Sequence, residues 1–178
     1  MLKSIFIWAI FSLVVIIAKI LAIILAPLGC LSTKKVGGRH YAHWWFKWAV
    51  THDAPLDAGY IDGYFTYPRN RFERYWAMVR WVWRNPAYQI AHWVGYDQTG
   101  MIVKKHQDQG HLWDTGIPNF SFWTAVNSKG LIGFMLQWQF YFYKNRCLEV
   151  YLGWKLHRKD PDLRRMLVTR VTPFKKYP

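Results

Sequence analysis

The chain opens with an almost uninterrupted apolar run. Between Ser4 and Leu31 the single charged residue is Lys19. A helix of about 20 apolar residues spans a bilayer, so this run predicts a helix that crosses a membrane or is deeply embedded in one. A lysine near the bilayer centre costs about 3 kcal/mol. Because Pro27 also interrupts the run, a re-entrant or interfacial helix stays open as an alternative.

The residues around this run indicate an orientation and a domain boundary. Lys34, Lys35 and Arg39 follow the run closely, whereas only the amino terminus and one lysine precede it. The positive-inside rule therefore places the carboxy-terminal part in the cytoplasm. A cleaved signal peptide fits less well, because the run is long and no small-residue cleavage site follows it. We expect residues 1–33 to form a membrane anchor and residues 34–178 to form a basic, aromatic-rich domain.

Helical periodicity follows a flexible joint at Gly37 and Gly38. Aromatic residues at steps of three and four predict a short helix; they are Tyr41, Trp44, Trp45 and Trp48. Residues 69–84 predict a second helix, whose apolar face is expected to comprise Phe72, Trp76, Val79 and Trp83, widened by Tyr75, Met78 and Val82. Residues 86–94 predict a third helix, with Asn85 as its N-cap.

Aromatic residues interleaved with arginines are typical of helices that lie in a lipid headgroup layer. The same pattern is also that of a core helix whose arginines point to water. We predict a membrane-interface surface made of Trp44, Trp45, Trp48, Trp76, Trp83, Arg74 and Arg80.

The hydrophobic period changes from residue 101 onwards. Stretches rich in β-branched and aromatic residues predict strands; they cover residues 101–106, 119–126, 131–143, 147–157 and 166–171. Short turns between neighbouring strands indicate an antiparallel meander. The predicted fold class is α+β, with a hydrophobic amino-terminal helix, two or three short amphipathic helices and a meander of four to five strands.

Alternation along the predicted strands assigns their side chains to opposite faces. The face predicted to be core carries Phe134, Leu136, Trp138, Phe140 and Phe142, with Leu148, Val150, Leu152, Trp154 and Leu156 from the next strand. The opposite face is predicted to lie at the surface and to bind an extended partner. Its residues are Gln137, Gln139, Tyr141, Tyr143, Tyr151 and Lys155. Most such faces are simply solvated, so a solvated face is favoured over partner binding.

An acidic stretch precedes the second predicted helix. His52, Asp53, Asp57 and Asp62 are weak candidates for a metal site or for metal-dependent hydrolysis. Their spacing matches no EF-hand or zinc pattern, and no glycine-rich phosphate loop accompanies them. We therefore favour a structural interpretation, in which the aspartates shape turns and pair with arginines of residues 69–84. We assign no catalytic residue and no cofactor.

Charge and composition narrow the classes of partner that the protein is expected to bind. The formal net charge is +14, and the chain contains 12 tryptophans. Such a positive charge suits a polyanionic neighbour, of which anionic membrane lipid fits best beside an apolar helix. The basic residues are spread along the chain without a recognition motif, so nucleic acid ranks low as a partner. Cys30 and Cys147 support neither a disulfide framework nor a zinc site.

Four short motifs occur in a recognisable order after the apolar run. They are THDAPLDAG (residues 51–59), WRNPAY (83–88), LGWKL (152–156) and VTPF (171–174). In this order the chain resembles a family of small uncharacterised proteins encoded by tailed bacteriophages and prophages. The resemblance implies a bacterial-virus context and brings no catalytic residue with it.

These observations favour a non-enzymatic, membrane-associated bacteriophage protein. It is expected to bind or block a partner, of phage or host, at the inner membrane of the host. The alternative is a structural virion component of the tail, portal or ejection apparatus, whose apolar helix packs in a protein assembly and for which symmetric homo-oligomers would fit. A second alternative is a metal-dependent hydrolase that uses His52, Asp53 and Asp57.

Overall fold

The chain divides into two compact units. The computed structural model describes residues 1–51, 54–109, 120–143, 146–157 and 164–176, without the side chains of residues 143, 175 and 176. Unit 1 comprises Met1–Ser12 and Trp93–Pro178, and unit 2 comprises Leu13–His92. Helix α1 (Leu2–Leu31) contributes residues to both units. Each unit packs against its own part of α1, and the boundary between an anchor and a domain at residue 33 stays a prediction.

Unit 2 is mainly helical. After α1 it contains the hairpin strands β1 (Thr33–Val36) and β2 (Arg39–Ala42), a 3-10 helix (Trp44–Ala49), and helices α2 (Ala58–Ile61), α3 (Arg71–Arg84) and α4 (Tyr88–Trp93). Gly37 and Gly38 form the hairpin turn, with φ values of 56° and 83°. Two-residue hairpin turns favour such positive φ values, so the predicted flexible joint is a defined turn.

Helix α3 begins at a capping box. The Asn70 side chain accepts a hydrogen bond from the Glu73 N–H (2.9 Å), and the Glu73 carboxylate accepts one from the Arg69 N–H (2.8 Å). The first bond satisfies an orphan donor of the first turn, and the second ties Glu73 to the residue before the N-cap. Asn85 ends this helix as its C-cap, so its predicted role as the N-cap of the next helix is wrong. Ala87 adopts a left-handed conformation (φ 51°), so α4 begins only at Tyr88.

The buried side of α3 is rotated from the predicted one. The buried residues are Ala77, Met78, Val79, Trp81 and Val82. Phe72, Trp76 and Trp83, which were expected at the centre of the apolar face, are exposed instead. Periodicity alone could not separate the two sides, because α3 carries aromatic rings on both.

Unit 1 is mainly a sheet. Its strands are β3 (Tyr96–Asp97), β4 (Ile102–Asp108), β5 (Phe120–Val126), β6 (Ile132–Tyr143), β7 (Arg146–Trp154), β8 (Arg164–Arg165) and β9 (Leu167–Lys176). Antiparallel pairing gives a five-stranded sheet in the order β4-β5-β6-β7-β9, while β3 pairs with β8. The predicted α+β class and antiparallel meander are confirmed.

The two faces of this sheet are buried in the opposite sense to the prediction. The face called polar here carries Gln137, Gln139, Glu149, Tyr151 and Arg170, and the face called apolar carries Phe122, Leu136, Trp138, Phe140, Val150 and Val171. Gln137 and Gln139 are only 1% and 2% exposed, whereas Trp138 and Phe140 are 42% and 50% exposed. The assignment of the apolar face to the core is therefore wrong at Trp138, Phe140 and Phe142, whereas Phe134, Trp154 and Leu156 of the predicted core are buried.

Candidate functional site

One side of α1 is packed against the rest of the protein and consists of small residues. Its buried members are Ser4, Ser12, Val15, Ala18, Ala22, Ala26, Gly29 and Cys30. In unit 2 the alanines join a core that contains Phe46, Val79 and Val82. A Cβ atom on Gly29 would overlap the ring of Phe46. Small side chains therefore allow the neighbouring elements to approach the backbone of α1 closely.

The other side of α1 is exposed and apolar. Its most exposed large side chains are Leu2, Phe6, Ile10, Leu13, Ile17, Ile20, Ile24, Leu28 and Leu31. The exposed positions from residue 5 to residue 31 carry no charge, and Lys19 is half-buried. By length and composition α1 is the one helix among the described residues that is apolar enough to cross a membrane. A water-soluble helix shows the reverse pattern, with its large apolar side chains turned inward.

Two side chains of α3 complete the hydrogen bonding of α1 around its proline. Pro27 has no N–H, so the carbonyl of Ile23 lacks the partner that a continuous helix would supply. Trp83 Nε1 donates to this Ile23 oxygen at 3.0 Å. The Tyr75 hydroxyl donates to the Pro27 oxygen at 3.1 Å. The helix therefore passes its proline with these carbonyls satisfied.

The predicted interface residues all lie in unit 2, on two elements. Trp44 is 76% exposed at the start of the 3-10 helix, and Trp45 and Trp48 are half-buried beside Phe46. The core contact of this helix is made by Phe46 and Ala49, which the predicted stripe did not include.

On α3 the two predicted interface tryptophans contact each other. Trp76 and Trp83 lie with their ring centroids 6.1 Å apart. The Arg80 guanidinium lies 4.8 Å from the centre of the Phe65 ring, and Arg74 is half-buried. Because Trp83 also bonds to the Ile23 oxygen, this indole pair adjoins α1.

The acidic stretch is built as a structural ion pair. Asp57 is buried and accepts hydrogen bonds from Arg39 Nε (3.0 Å) and from the backbone N–H of His40 (2.9 Å). Arg39 also reaches Asp62 at 3.4 Å. The hydrogen bond to Asp57 raises the pKa of the Arg39 guanidinium. The expected partners on residues 69–84 are thus replaced by Arg39, which the hairpin places beside Asp57.

No metal site is formed by the parts of the acidic stretch that the structure describes. His52 and Asp53 lie outside the described residues. Among the described residues, no three His, Cys, Asp or Glu side chains lie close enough to share a metal ion. The aspartates that are described, Asp57 and Asp62, share the guanidinium of Arg39 instead.

The predicted partner-binding face is largely buried. Glu149, only 1% exposed, accepts hydrogen bonds from Arg170 (2.8 Å) and Gln139 (3.4 Å). The Tyr151 hydroxyl lies 3.0 Å from Nδ1 of His157. These bonds to Glu149 lower the cost of burying its charge on this face.

The remaining residues of that prediction fall into three environments. Tyr141 is exposed near the end of β6, and Lys155 is half-buried after β7. The side chain of Tyr143 lies outside what the structure describes. Partner binding by this face stays a prediction, and Tyr141 is the member whose exposure suits it.

The amino-terminal part of α1 lies against the apolar face of the sheet. Trp8 Nε1 donates to the Val168 oxygen (3.1 Å), and the Trp8 ring packs edge-on against Phe134 at 5.6 Å. The Ser12 and Thr169 hydroxyls are 2.5 Å apart. Register places Thr169 beside Leu152 and Leu136, on the apolar face. Sequence reasoning missed this contact, although Trp8 and Ser12 are among the few residues of the apolar run whose side chains can form hydrogen bonds.

Comparison with known proteins gives a family without an assigned activity. A family model described as "Family of unknown function (DUF7338)" matches residues 1–178. Neither the curated proteins nor the solved structures contain a match to this chain. Since the family model covers the whole length of the sequence, the chain belongs to the DUF7338 family of unknown function.

Proposed function

We propose that this protein is a non-enzymatic membrane protein that holds a basic, aromatic-rich fold on an anionic lipid bilayer. The observation that carries the proposal is the exposed side of α1, with large aliphatic residues and no charge from residue 5 to residue 31. Monomeric soluble proteins rarely leave so long an apolar surface in water, and such surfaces mark lipid or protein contacts.

The size of the apolar surface supports lipid binding in energetic terms. A partly exposed Leu or Ile side chain gains about 1 kcal/mol when it moves from water into hydrocarbon. The exposed leucines and isoleucines of α1 therefore favour the bilayer by on the order of 10 kcal/mol in total. Arg80 and Arg84 on α3 add attraction for anionic headgroups, and the net charge of +14 acts in the same direction.

The proposal includes a role and a setting. The protein would bind or block a protein partner at the inner membrane of a bacterial host during bacteriophage infection, with residues after α1 on the cytoplasmic side. The bacteriophage setting rests on the four short motifs, and the sidedness rests on the lysines and arginine that follow α1. Tyr141, exposed at the end of β6, is the proposed contact for an extended partner.

Fractionation of cells that express the full chain tests the proposal. We expect the protein to sediment with membranes, to resist extraction by high salt and to be released by detergent. Recovery in the soluble fraction without detergent would contradict it. Presence in purified phage particles, detected by mass spectrometry, would favour the alternative of a virion component, in which a protein assembly covers the same side of α1.

A further inference from the structure

The way in which each unit packs on α1 indicates how the protein meets the bilayer. We infer that α1 does not cross the membrane but lies in the plane of one leaflet, and that the apolar face of the five-stranded sheet rests on the same lipid surface beside it. This inference rests on the proposed membrane function. It names the lipid surface and the orientation of the contact.

In unit 1 the helix lies on the sheet rather than apart from it. Trp8 and Ser12 bind β9 through the Val168 oxygen and the Thr169 hydroxyl. The side chain of Thr169 points to the apolar face, and Val171 follows it two residues later on that face. Beyond the helix this face continues as a half-exposed surface formed by Trp138, Phe140 and Val171.

Exposed aliphatic residues of α1 and exposed aromatic residues of the sheet therefore belong to one side of unit 1. Leu2, Phe6 and Ile10 are supplied by the helix. Trp138 and Phe140 are supplied by the sheet, where indole and phenyl rings suit the boundary between headgroups and acyl chains. Register places Trp138 and Val171 one row beyond Leu136 and Thr169, where α1 is bound, so a lipid surface that receives the helix also faces these residues.

A membrane-crossing arrangement is incompatible with the same packing. If the first turns of α1 were inside the bilayer, the sheet bound at Trp8 and Ser12 would be drawn into the hydrocarbon. Its edge strands β4 and β9 each have one paired neighbour among the described residues. Open sheet edges do not occur in hydrocarbon, because their N–H and C=O groups would lose water without gaining partners. Arg170, half-exposed on β9, would be desolvated as well.

Unit 2 leads to the same conclusion by itself. Helix α3 contacts α1 at Ile23 and at Pro27, through the side chains of Trp83 and Tyr75. Its exposed Arg80 and Arg84 would enter the acyl region if this part of α1 crossed the bilayer. In each unit α1 therefore has one side on protein and one apolar side available to lipid, which is the geometry of an interfacial helix.

Protease accessibility of the two chain ends tests the inference. A cleavable epitope tag is added before Met1 and another after Pro178 of the full chain, which is expressed in bacteria. We expect protease to remove both tags from inverted inner-membrane vesicles and neither tag from intact spheroplasts. If protease removed the amino-terminal tag from intact spheroplasts but not from inverted vesicles, α1 would cross the membrane. That result would overturn the inference while leaving membrane association intact. Absence of the protein from both membrane preparations would overturn the proposed function as well.

A substitution on the sheet provides a second, independent readout. Trp138→Glu is expected to weaken partitioning of the purified chain onto vesicles of phosphatidylcholine and phosphatidylglycerol by about 10-fold, since a half-exposed ring is replaced by a charge at the lipid contact. Trp138→Phe keeps an apolar ring there and is the matched control, expected to bind like the wild-type chain. Circular dichroism spectra that match the wild type exclude unfolding. Unchanged partitioning of folded Trp138→Glu would show that the sheet does not touch lipid.

Discussion

Residues 13–31 of α1 and helix α3 lie in unit 2 and share a core, yet their outward sides differ in kind. The outward side of α1 carries large aliphatic residues without charge, and its inward side carries alanines. The outward side of α3 combines aromatic rings with Arg80 and Arg84, and its inward side carries Met78, Val79 and Val82. Helix α3 has charges on its outward side and apolar residues on its inward side, as a surface helix in water does. Helix α1 has its large apolar residues on the outward side, a distribution that suits lipid rather than water.

A charge on the outward side of α1 gives the largest expected effect. Ile24 is 65% exposed there, opposite the alanine stripe. Ile24→Asp is expected to reduce partitioning onto anionic vesicles by about 100-fold, because an acidic side chain near the acyl region costs about 2.5–3.5 kcal/mol. Flotation of the purified chain with vesicles measures the loss. Ile24→Leu, which conserves the apolar volume, should bind normally; equal binding by both variants would remove α1 from the lipid contact.

An enlarged residue on the inward side of α1 should affect folding instead of binding. Ala22 is fully buried against unit 2, so Ala22→Leu is expected to destabilise the fold by about 2 kcal/mol through overpacking. Urea unfolding in mild detergent measures the change. The adjacent outward substitution Leu21→Ala should leave the free energy of unfolding within about 0.5 kcal/mol. If the two positions exchanged these effects, the inward and outward sides would have been assigned wrongly.

The hydrogen bond between the two helices is expected to have an effect that depends on Pro27. Trp83→Phe removes the donor to the Ile23 oxygen and should cost about 1–2 kcal/mol of unfolding free energy, because that carbonyl loses its partner. Pro27→Ala restores the backbone N–H that a regular helix directs at the same oxygen. In a double-mutant cycle, Trp83→Phe should therefore cost less in the Pro27→Ala background. Additive effects would show that Trp83 contributes packing alone.

The types of element could be predicted from sequence because their periods differ. The apolar run gave α1, and the alternation after residue 101 gave the antiparallel sheet. Asn70 and Glu73 form a capping box that a closer inspection of the sequence would have identified. Such signals depend only on residues that are neighbours in sequence, so they can be recognised without knowledge of the tertiary structure.

The inner faces could not be predicted in the same way, because they depend on partners distant in sequence. Glu149 is buried because Arg170, on another strand, neutralises it. Strand alternation then turns Trp138 and Phe140 of β6 outward, because Gln137 and Gln139 lie on the inner face with Glu149. Under the proposed lipid contact, large apolar residues no longer indicate the interior, and the usual rule for choosing the core face fails.

Substitution of the α3 arginines should have the smallest effect on membrane binding. The salt dependence of binding distinguishes this effect from the effect of substitutions on α1. Arg80→Gln and Arg84→Gln are each expected to weaken binding to anionic vesicles by about five-fold at low salt, since a basic residue near an anionic surface is worth about 1 kcal/mol. At 1 M salt the difference from the wild type should vanish, because screening shortens the reach of the charges to about 3 Å. Arg80→Lys keeps the charge and should bind nearly as the wild type does. The loss of binding caused by Ile24→Asp should persist at high salt, because it reflects the transfer of a charge out of water. If salt changed the effects at Ile24 and at Arg80 equally, both helices would meet the membrane in the headgroup layer alone.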